Sequence, residues 1–319
     1  MNIAFFTESN FSGKIDRKFA GRTDTSWMCA LNANHIPFSH SVTLQKYDLG
    51  IIIVPKKNPN IAFDFFDRNR NGCKLWAVMQ EGPQDGWQDY DIPDQFRYLK
   101  LLNDVNCIFV HNEIDRNYYS GLISHKNAFV LQSLMIDDSI PANIVNVAHA
   151  RTSSVIGGNL CSWYGGMDSF IVASEFGTEI YAPSMGRKRE YEDYIEDITY
   201  LPYMNWNEWI VRLSKFRYAV HLMRTYAAGT FALNTSYLGI PCIGYSSLDT
   251  QRICQPDLTV DEGDLVTAKK LATRLKVDSG FYKHCSDVAV SNYLDNYSEE
   301  IFVRRFSAAL QSFNHQERF

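Results

Sequence analysis
The sequence predicts an α/β protein built of two Rossmann-like parallel-sheet domains. Three observations lead there. Short apolar runs alternate with amphipathic stretches along both halves of the chain. A polar, proline-containing segment interrupts that alternation near the middle. The 319 residues suffice for two domains of ordinary size.

In order along the first half, residues 3–7 read as a buried strand, and 23–34 as an amphipathic helix with Trp27, Ala30 and Leu31 on one face. Residues 49–54 are an almost unbroken apolar run, the pattern of a parallel strand covered on both faces. Residues 61–68 then read as helix, 74–79 as strand, 94–104 as helix, 107–111 as strand, 115–123 as helix and 127–131 as strand. Such alternation implies right-handed crossovers within a parallel sheet. Residues 136–150, with Asp137, Asp138, Ser139 and Pro141, read as a linker. The pattern then restarts, with strands at 154–158, 179–182, 198–201, 218–223, 241–245 and 258–260. Helices fall at 167–176, 206–216 and 230–238, and residues 264–313 are mainly helical. The expected domains are residues 1–145 and 151–300, followed by a C-terminal helix, 301–319.

Composition narrows the function. Apolar residues make up 45% of the chain, enough for a core, and aromatic residues 14%, some of them available to stack on a ring-shaped ligand. A net charge of −5 excludes a general polycation, so any nucleic acid would need a local basic patch. The seven cysteines form no C-x-x-C pair and sit mostly in apolar runs, as reduced buried thiols of a cytoplasmic protein do. Residues 1–8 read as a strand and lack the basic region of a signal peptide. No apolar stretch approaches the ~18 residues a membrane span requires. Walker, G-x-G-x-x-G, G-x-S-x-G and H-E-x-x-H patterns are absent, which predicts chemistry without a tightly bound metal or cofactor.

The most informative segment is 221–244. An apolar strand ends at Met223, a small-residue loop follows through Arg224 to Gly229, a helix begins near Thr230 and Phe231, and Gly239-Ile-Pro241 leads into another strand. The unpaired N–H groups and positive dipole end of such a helix suit a diphosphate, and Gly229 allows close backbone approach. This segment resembles the donor-side helix of GT-B glycosyltransferases, with Asn234 standing where retaining members usually carry a glutamate.

Other segments follow in the family's order. Gly157-Gly158 runs through Gly165-Gly166 to Asp168, which reads by itself as a helix N-cap. Arg187, Lys188 and Arg189 stand where the family places a cation against the donor phosphates. Tyr203 and Met204 stand where the base is read, with Tyr203 or Trp206 able to stack on it. The last helices, with Phe281 and Tyr282, match the family's tail. The resemblance covers nearly the whole chain. It implies two domains facing across a cleft, with terminal helices crossing back to the first, and a UDP- or GDP-type nucleotide-sugar as co-substrate. A monomer or small homo-oligomer is expected.

The first domain should then hold the acceptor. Glu8, Ser12, Gly13 and Lys14 follow the first strand, and Arg22 opens the next helix. Loops at the carboxyl ends of parallel strands are where ligands bind. Glu81, directly after the strand ending at Met79, is the leading catalytic carboxylate; Asp24 and His111 are the other candidate bases. His221 reads as a core histidine. One expected acceptor is a hydroxymethylated base in double-stranded DNA, as for phage DNA glycosyltransferases, with Lys14, Arg17, Lys18, Arg22, Lys56 and Lys57 on the phosphates. A surface glycan or small metabolite is the alternative. A non-catalytic sugar-nucleotide-binding protein is the reading from another class, disfavoured by the unpaired cysteines.

Overall fold
The computed structural model describes residues 1–80, 82–125, 127–138, 140, 144, 152–183 and 195–316. The chain divides into two compact units. Unit 1 comprises Met1–Ser133 and Glu299–Phe319, and unit 2 comprises Leu134–Ser298.

In its first segment, unit 1 runs β1 (Ile3–Thr7), α1 (Thr23–Ala30), β2 (Asn34–Pro37), β3 (Leu49–Ile52), α2 (Asn60–Asn69), β4 (Leu75–Met79), α3 (Ile92–Asp104), β5 (Cys107–Val110), α4 (Glu113–Leu122) and β6 (Ala128–Val130). The strands form one parallel sheet in the order β2-β1-β3-β4-β5-β6. β1, β3 and β5 are buried along their whole length, so their unbroken apolar runs are what a sheet covered on both faces needs. On one face Phe6 meets Phe65 and Trp76, with ring centroids 4.7 and 5.4 Å away.

The structure departs from the expected helix over 23–34. α1 stops at Ala30, Asn32 turns into the left-handed region at φ 48°, and residues from Asn34 form β2. Asparagine tolerates that backbone geometry better than other non-glycine residues, and two polar residues at the start of β2 disguise it as loop.

Unit 2 runs β7 (Ser153–Ile156), α5 (Gly166–Ala173), β8 (Ile180–Ala182), β9 (Ile198–Tyr200), α6 (Trp206–Leu213), β10 (Phe216–His221), α7 (Thr230–Tyr237), β11 (Cys242–Tyr245), α8 (Asp249–Cys254), β12 (Thr259–Val260), α9 (Leu265–Val277) and α10 (Ser279–Tyr297). Its parallel sheet has the order β12-β11-β10-β7-β8-β9. Chain direction along the sheet therefore reverses between β7 and β10. Of the expected linker, Ile140 and Ile144 pack into the core of this unit. α8 has no counterpart in the sequence reading. Its buried residues are mostly polar, Asp249, Thr250 and Gln251 beside Cys254: Gln251 Nε2 donates to the Cys242 carbonyl, 2.8 Å away, and Nε2 of Gln255, the residue that ends the helix, donates to that of Ile240, 3.0 Å away.

The last helix, α11 (Glu299–Gln316), returns to unit 1. The Arg17 guanidinium donates twice to the Glu299 carboxylate, at 3.1 and 2.6 Å. Phe302 lies 5.2 Å from Trp27 and Phe306 lies 5.7 Å from Phe109, measured between ring centroids. Among the described residues no helix is long and apolar enough to cross a membrane. Phe306 is 3% exposed, so Phe306→Ala should leave a cavity against β5 and cost about 3–5 kcal/mol, read as a lowered urea midpoint of unit 1.

Candidate functional site
An open parallel sheet binds ligands at the carboxyl ends of its strands where the strand order reverses. In unit 2 that point is the junction of β7 and β10. The loops leaving it are 157–165 after β7 and 222–229 after β10, with 246–248 after the neighbouring β11.

Close backbone approach holds these loops. Gly165 has φ 58°, and a Cβ there would lie 1.8 Å from the Leu222 carbonyl oxygen. Glycine is thus required on two counts, steric and conformational. Polar tethers then fix the loop after β10 residue by residue. Leu222 N donates to Ser169 Oγ at 2.9 Å, and Ser247 Oγ donates to the Met223 carbonyl at 2.7 Å. Arg224 Nη2 donates to Asp168 Oδ2 at 2.7 Å, and Thr225 Oγ1 donates to the Trp163 carbonyl at 3.2 Å. Tyr245 OH donates to the same Asp168 oxygen at 3.1 Å. Asp168 stands in the first turn of α5, where its charge suits the helix dipole. It makes Arg224 harder to deprotonate, and burial followed by the Asp168 charge pushes the Tyr245 hydroxyl up.

The loop ends at Gly229, the N-cap of α7, with φ 65°. A Cβ on Gly229 would fall 1.8 Å from Thr250 Oγ1, which donates to the Gly229 carbonyl at 3.1 Å. No side chain caps α7, and its first backbone bond is from Leu233 N to the Gly229 carbonyl. The N–H groups of Thr230, Phe231 and Ala232 thus lack intrahelical acceptors, as at every helix start.

His221 closes β10 directly beneath. It is 4% exposed, edge-on to Phe231 at 5.1 Å, and its ring occupies the space a Cβ on Gly157 would take. Among the described residues neither ring nitrogen has a hydrogen-bond partner, and burial lowers its pKa to about 4.

Of the donor residues expected from sequence, Gly158, Arg224, Gly229, Thr230 and Phe231 all lie on these loops or at the start of α7. Asn234 instead faces inward. It is 5% exposed, and its amide donates to the Thr230 carbonyl at 3.0 Å and accepts from Trp209 Nε1 at 3.2 Å. Tyr203 is exposed on the loop after β9, and Met204 packs against the cluster containing Phe231. Arg187, Arg189 and Glu81 lie outside the described residues.

In unit 1, Glu8 and Ser12 are exposed, and Gly13 pairs both backbone groups with His35 at 2.9 and 2.8 Å. Lys14 Nζ donates to Asn32 Oδ1 at 2.5 Å. Arg22 and Asp24 pair with each other at 3.3 Å, and Asp24 Oδ1 accepts from Thr25 N at 2.8 Å, the behaviour of a helix-start charge. His111 sits inside the core, edge-on to Trp27 at 5.3 Å, with Nδ1 3.3 Å from the Leu131 carbonyl, and burial lowers its pKa to about 4. Half of the basic cluster is compensated: Arg17 pairs with Glu299, Lys18 with Asp16 and Arg22 with Asp24. Among the described residues no group of three His, Cys, Asp or Glu is arranged to hold a metal ion.

Sequence reasoning did not assemble Asp168, Ser169, Tyr245, Ser247 and Thr250 around this loop. The one local signal is a Tyr-Ser-Ser run at the carboxyl end of β11, in register with the loops after β10.

No protein family and no curated protein matches the sequence. Solved structures do match the fold. Anabaena HepE, in complex with UDP-glucose, superposes with a TM-score of 0.70 at 10% identity, over 98% of this chain and 100% of that one. An alpha-glucosyltransferase (AGT) in complex with UDP gives 0.59 at 13%, over 97% and 99%. The fold is GT-B. TarM of S. aureus, in complex with fondaparinux, alpha-GlcNAc-glycerol and UDP, gives 0.64 at 12%, over 85% of this chain. The match spans only 56% of TarM's own length.

Three histidines of this GT-B chain, His35, His111 and His221, are buried with lowered pKa values, and the last two set a clear pH dependence. An unfolded histidine takes up a proton near pH ~6.5, whereas His111 and His221 resist it down to about 4. Between those values the unfolded chain binds protons that the folded chain does not, so stability falls as pH falls through this window. The slope is about 1.4 kcal/mol per pH unit for each histidine. Denaturant midpoints of His221→Gln should therefore depend less steeply on pH between 7 and 5 than those of the unmodified chain.

Proposed function
We propose that the chain is a glycosyltransferase that takes a hexose from a UDP-sugar and transfers it to a hydroxyl acceptor. The observation that carries this reading is the uncapped start of α7, which closes a loop leaving the β7–β10 junction and carrying a tethered arginine. Backbone N–H groups at a helix start and a guanidinium fork are complementary to a diphosphate. As the glycosidic bond breaks, charge builds on the departing diphosphate, and fixed donors of this kind stabilise that charge more than they stabilise the ground state. The UDP and UDP-glucose held by HepE, and the UDP held by AGT and TarM, support the choice of donor.

In this reading unit 2 binds the donor and unit 1 the acceptor. Glu81 and Asp24 are the proposed acceptor-side carboxylates, while His111 serves the core. The seven cysteines, all free and buried, fit work in the reducing cytoplasm. Arg224→Gln should weaken UDP binding by about tenfold to a hundredfold, the worth of a hydrogen bond to a charged group, in a calorimetric titration. Retention of labelled UDP-glucose without turnover, across acceptors, would reduce the protein to a sugar-nucleotide binder.

For the acceptor we propose the hydroxymethyl group of a modified base in duplex DNA. The exposed Lys56 and Lys57, on the loop after β3, support a phosphate contact. Because Arg17, Lys18 and Arg22 are already paired, few phosphates are neutralised, so binding should be weak and its salt dependence shallow. A gel shift on hydroxymethylated duplex at low salt, with label transferred into the DNA, is the expected result. No shift and no transfer would remove DNA as the acceptor.

A further inference from the structure
An arginine in an irregular loop ordinarily samples many rotamers. Fixing one such side chain on binding costs about 0.5–1.5 kcal/mol. Arg224 is not in that situation. Its neighbours Leu222, Met223 and Thr225 are each tied to a different part of unit 2, and its guanidinium reaches Asp168 through a single nitrogen. Its contacts with one Asp168 oxygen and with the Tyr245 hydroxyl still leave most of the guanidinium's five donors for another anion. The Arg224 side chain is 48% exposed, whereas that of Asp168 is 20% exposed.

Asp168 is itself held. It is anchored in the first turn of α5, and its Oδ2 also accepts the hydroxyl of Tyr245, a fully buried residue at the end of β11. The three residues come from three separate elements, 56 and 77 positions apart. A surface ion pair formed by chance has no reason to recruit a buried tyrosine from a third element.

We infer that Asp168 and Tyr245 are positioning residues that hold Arg224 ready for the diphosphate of the donor. This inference rests on the function proposed above. Tyr245 aims the carboxylate, the carboxylate aims the guanidinium, and the guanidinium presents its remaining N–H groups. The arrangement carries an electrostatic cost, since Asp168 also repels a diphosphate. A net benefit therefore requires the gain in order to exceed that repulsion, which gives the experiment a sign.

The test is calorimetric titration of UDP and of uridine into the unmodified chain, Tyr245→Phe, Asp168→Ala, Arg224→Gln and the double variants with Arg224→Gln. Tyr245→Phe removes one hydroxyl without changing charge or shape and should weaken UDP by about twofold to tenfold, the ordering cost of one arginine. Uridine, which lacks phosphate, should bind unchanged. Asp168→Ala should act in the same direction. Neither change should weaken UDP further once Arg224→Gln is in place. Additive losses, equal losses for uridine, unchanged UDP binding in Tyr245→Phe, or tighter binding in Asp168→Ala would each overturn the inference. If the unmodified chain binds UDP and Arg224→Gln has no effect, the inference falls and the functional reading stands. If the unmodified chain does not bind UDP, the functional reading itself fails, and the inference with it.

Discussion
The approach of the Gly165 backbone to the Leu222 carbonyl is the constraint on which the rest of unit 2's carboxyl edge depends. Any side chain at residue 165 would collide with that oxygen. Because nothing intervenes, the loop after β7 and the loop after β10 lie directly against each other. α5 can then begin where Ser169 reaches Leu222 and Asp168 reaches Arg224. The same loop ends at Gly229, pressed against Thr250 with equally little room. Two glycines thus set the ends of a polar network, and the helix start of α7 emerges from it with a fixed direction.

Electrostatics divides this edge into two layers. Beneath it His221 is held neutral by burial, so it brings no imidazolium charge near neutral pH. Above it, Arg224 stays charged and half-exposed beside a carboxylate. In unit 1 the cations near the start of α1 are drawn into pairs with Glu299, Asp16 and Asp24, which spreads their charge locally and leaves little long-range field.

Much of this fold was legible in the sequence because a parallel sheet covered on both faces imposes unbroken apolar runs. β1, β3 and β5 announce themselves in that way. β2 did not, because its first residues are Asn34 and His35 and a left-handed Asn32 separates it from α1. α8 did not, because three of its buried residues, Asp249, Thr250 and Gln251, are polar, and Gln251 satisfies a carbonyl. The loop from His221 to Gly229 could be read locally, since glycines and a helix start are local features. The network around it could not, since Asp168, Arg224 and Tyr245 meet only after folding. The direction of Asn234 was equally hidden. α7 is buried nearly all round, so no polar face marks which side looks inward.

The return of α11 to unit 1 makes the order of synthesis differ from the order of completion. The surface formed by Trp27 of α1 and Phe109 of β5 is translated early, but the phenylalanines that cover it, Phe302 and Phe306, come after the whole of unit 2. At ~5–20 residues per second, ribosomes need on the order of ten seconds or more to make that intervening stretch. Unit 2, one uninterrupted segment, can close its core first. During that interval a nascent chain carries an uncovered aromatic surface, the kind of surface that chaperones hold and that aggregates nucleate on.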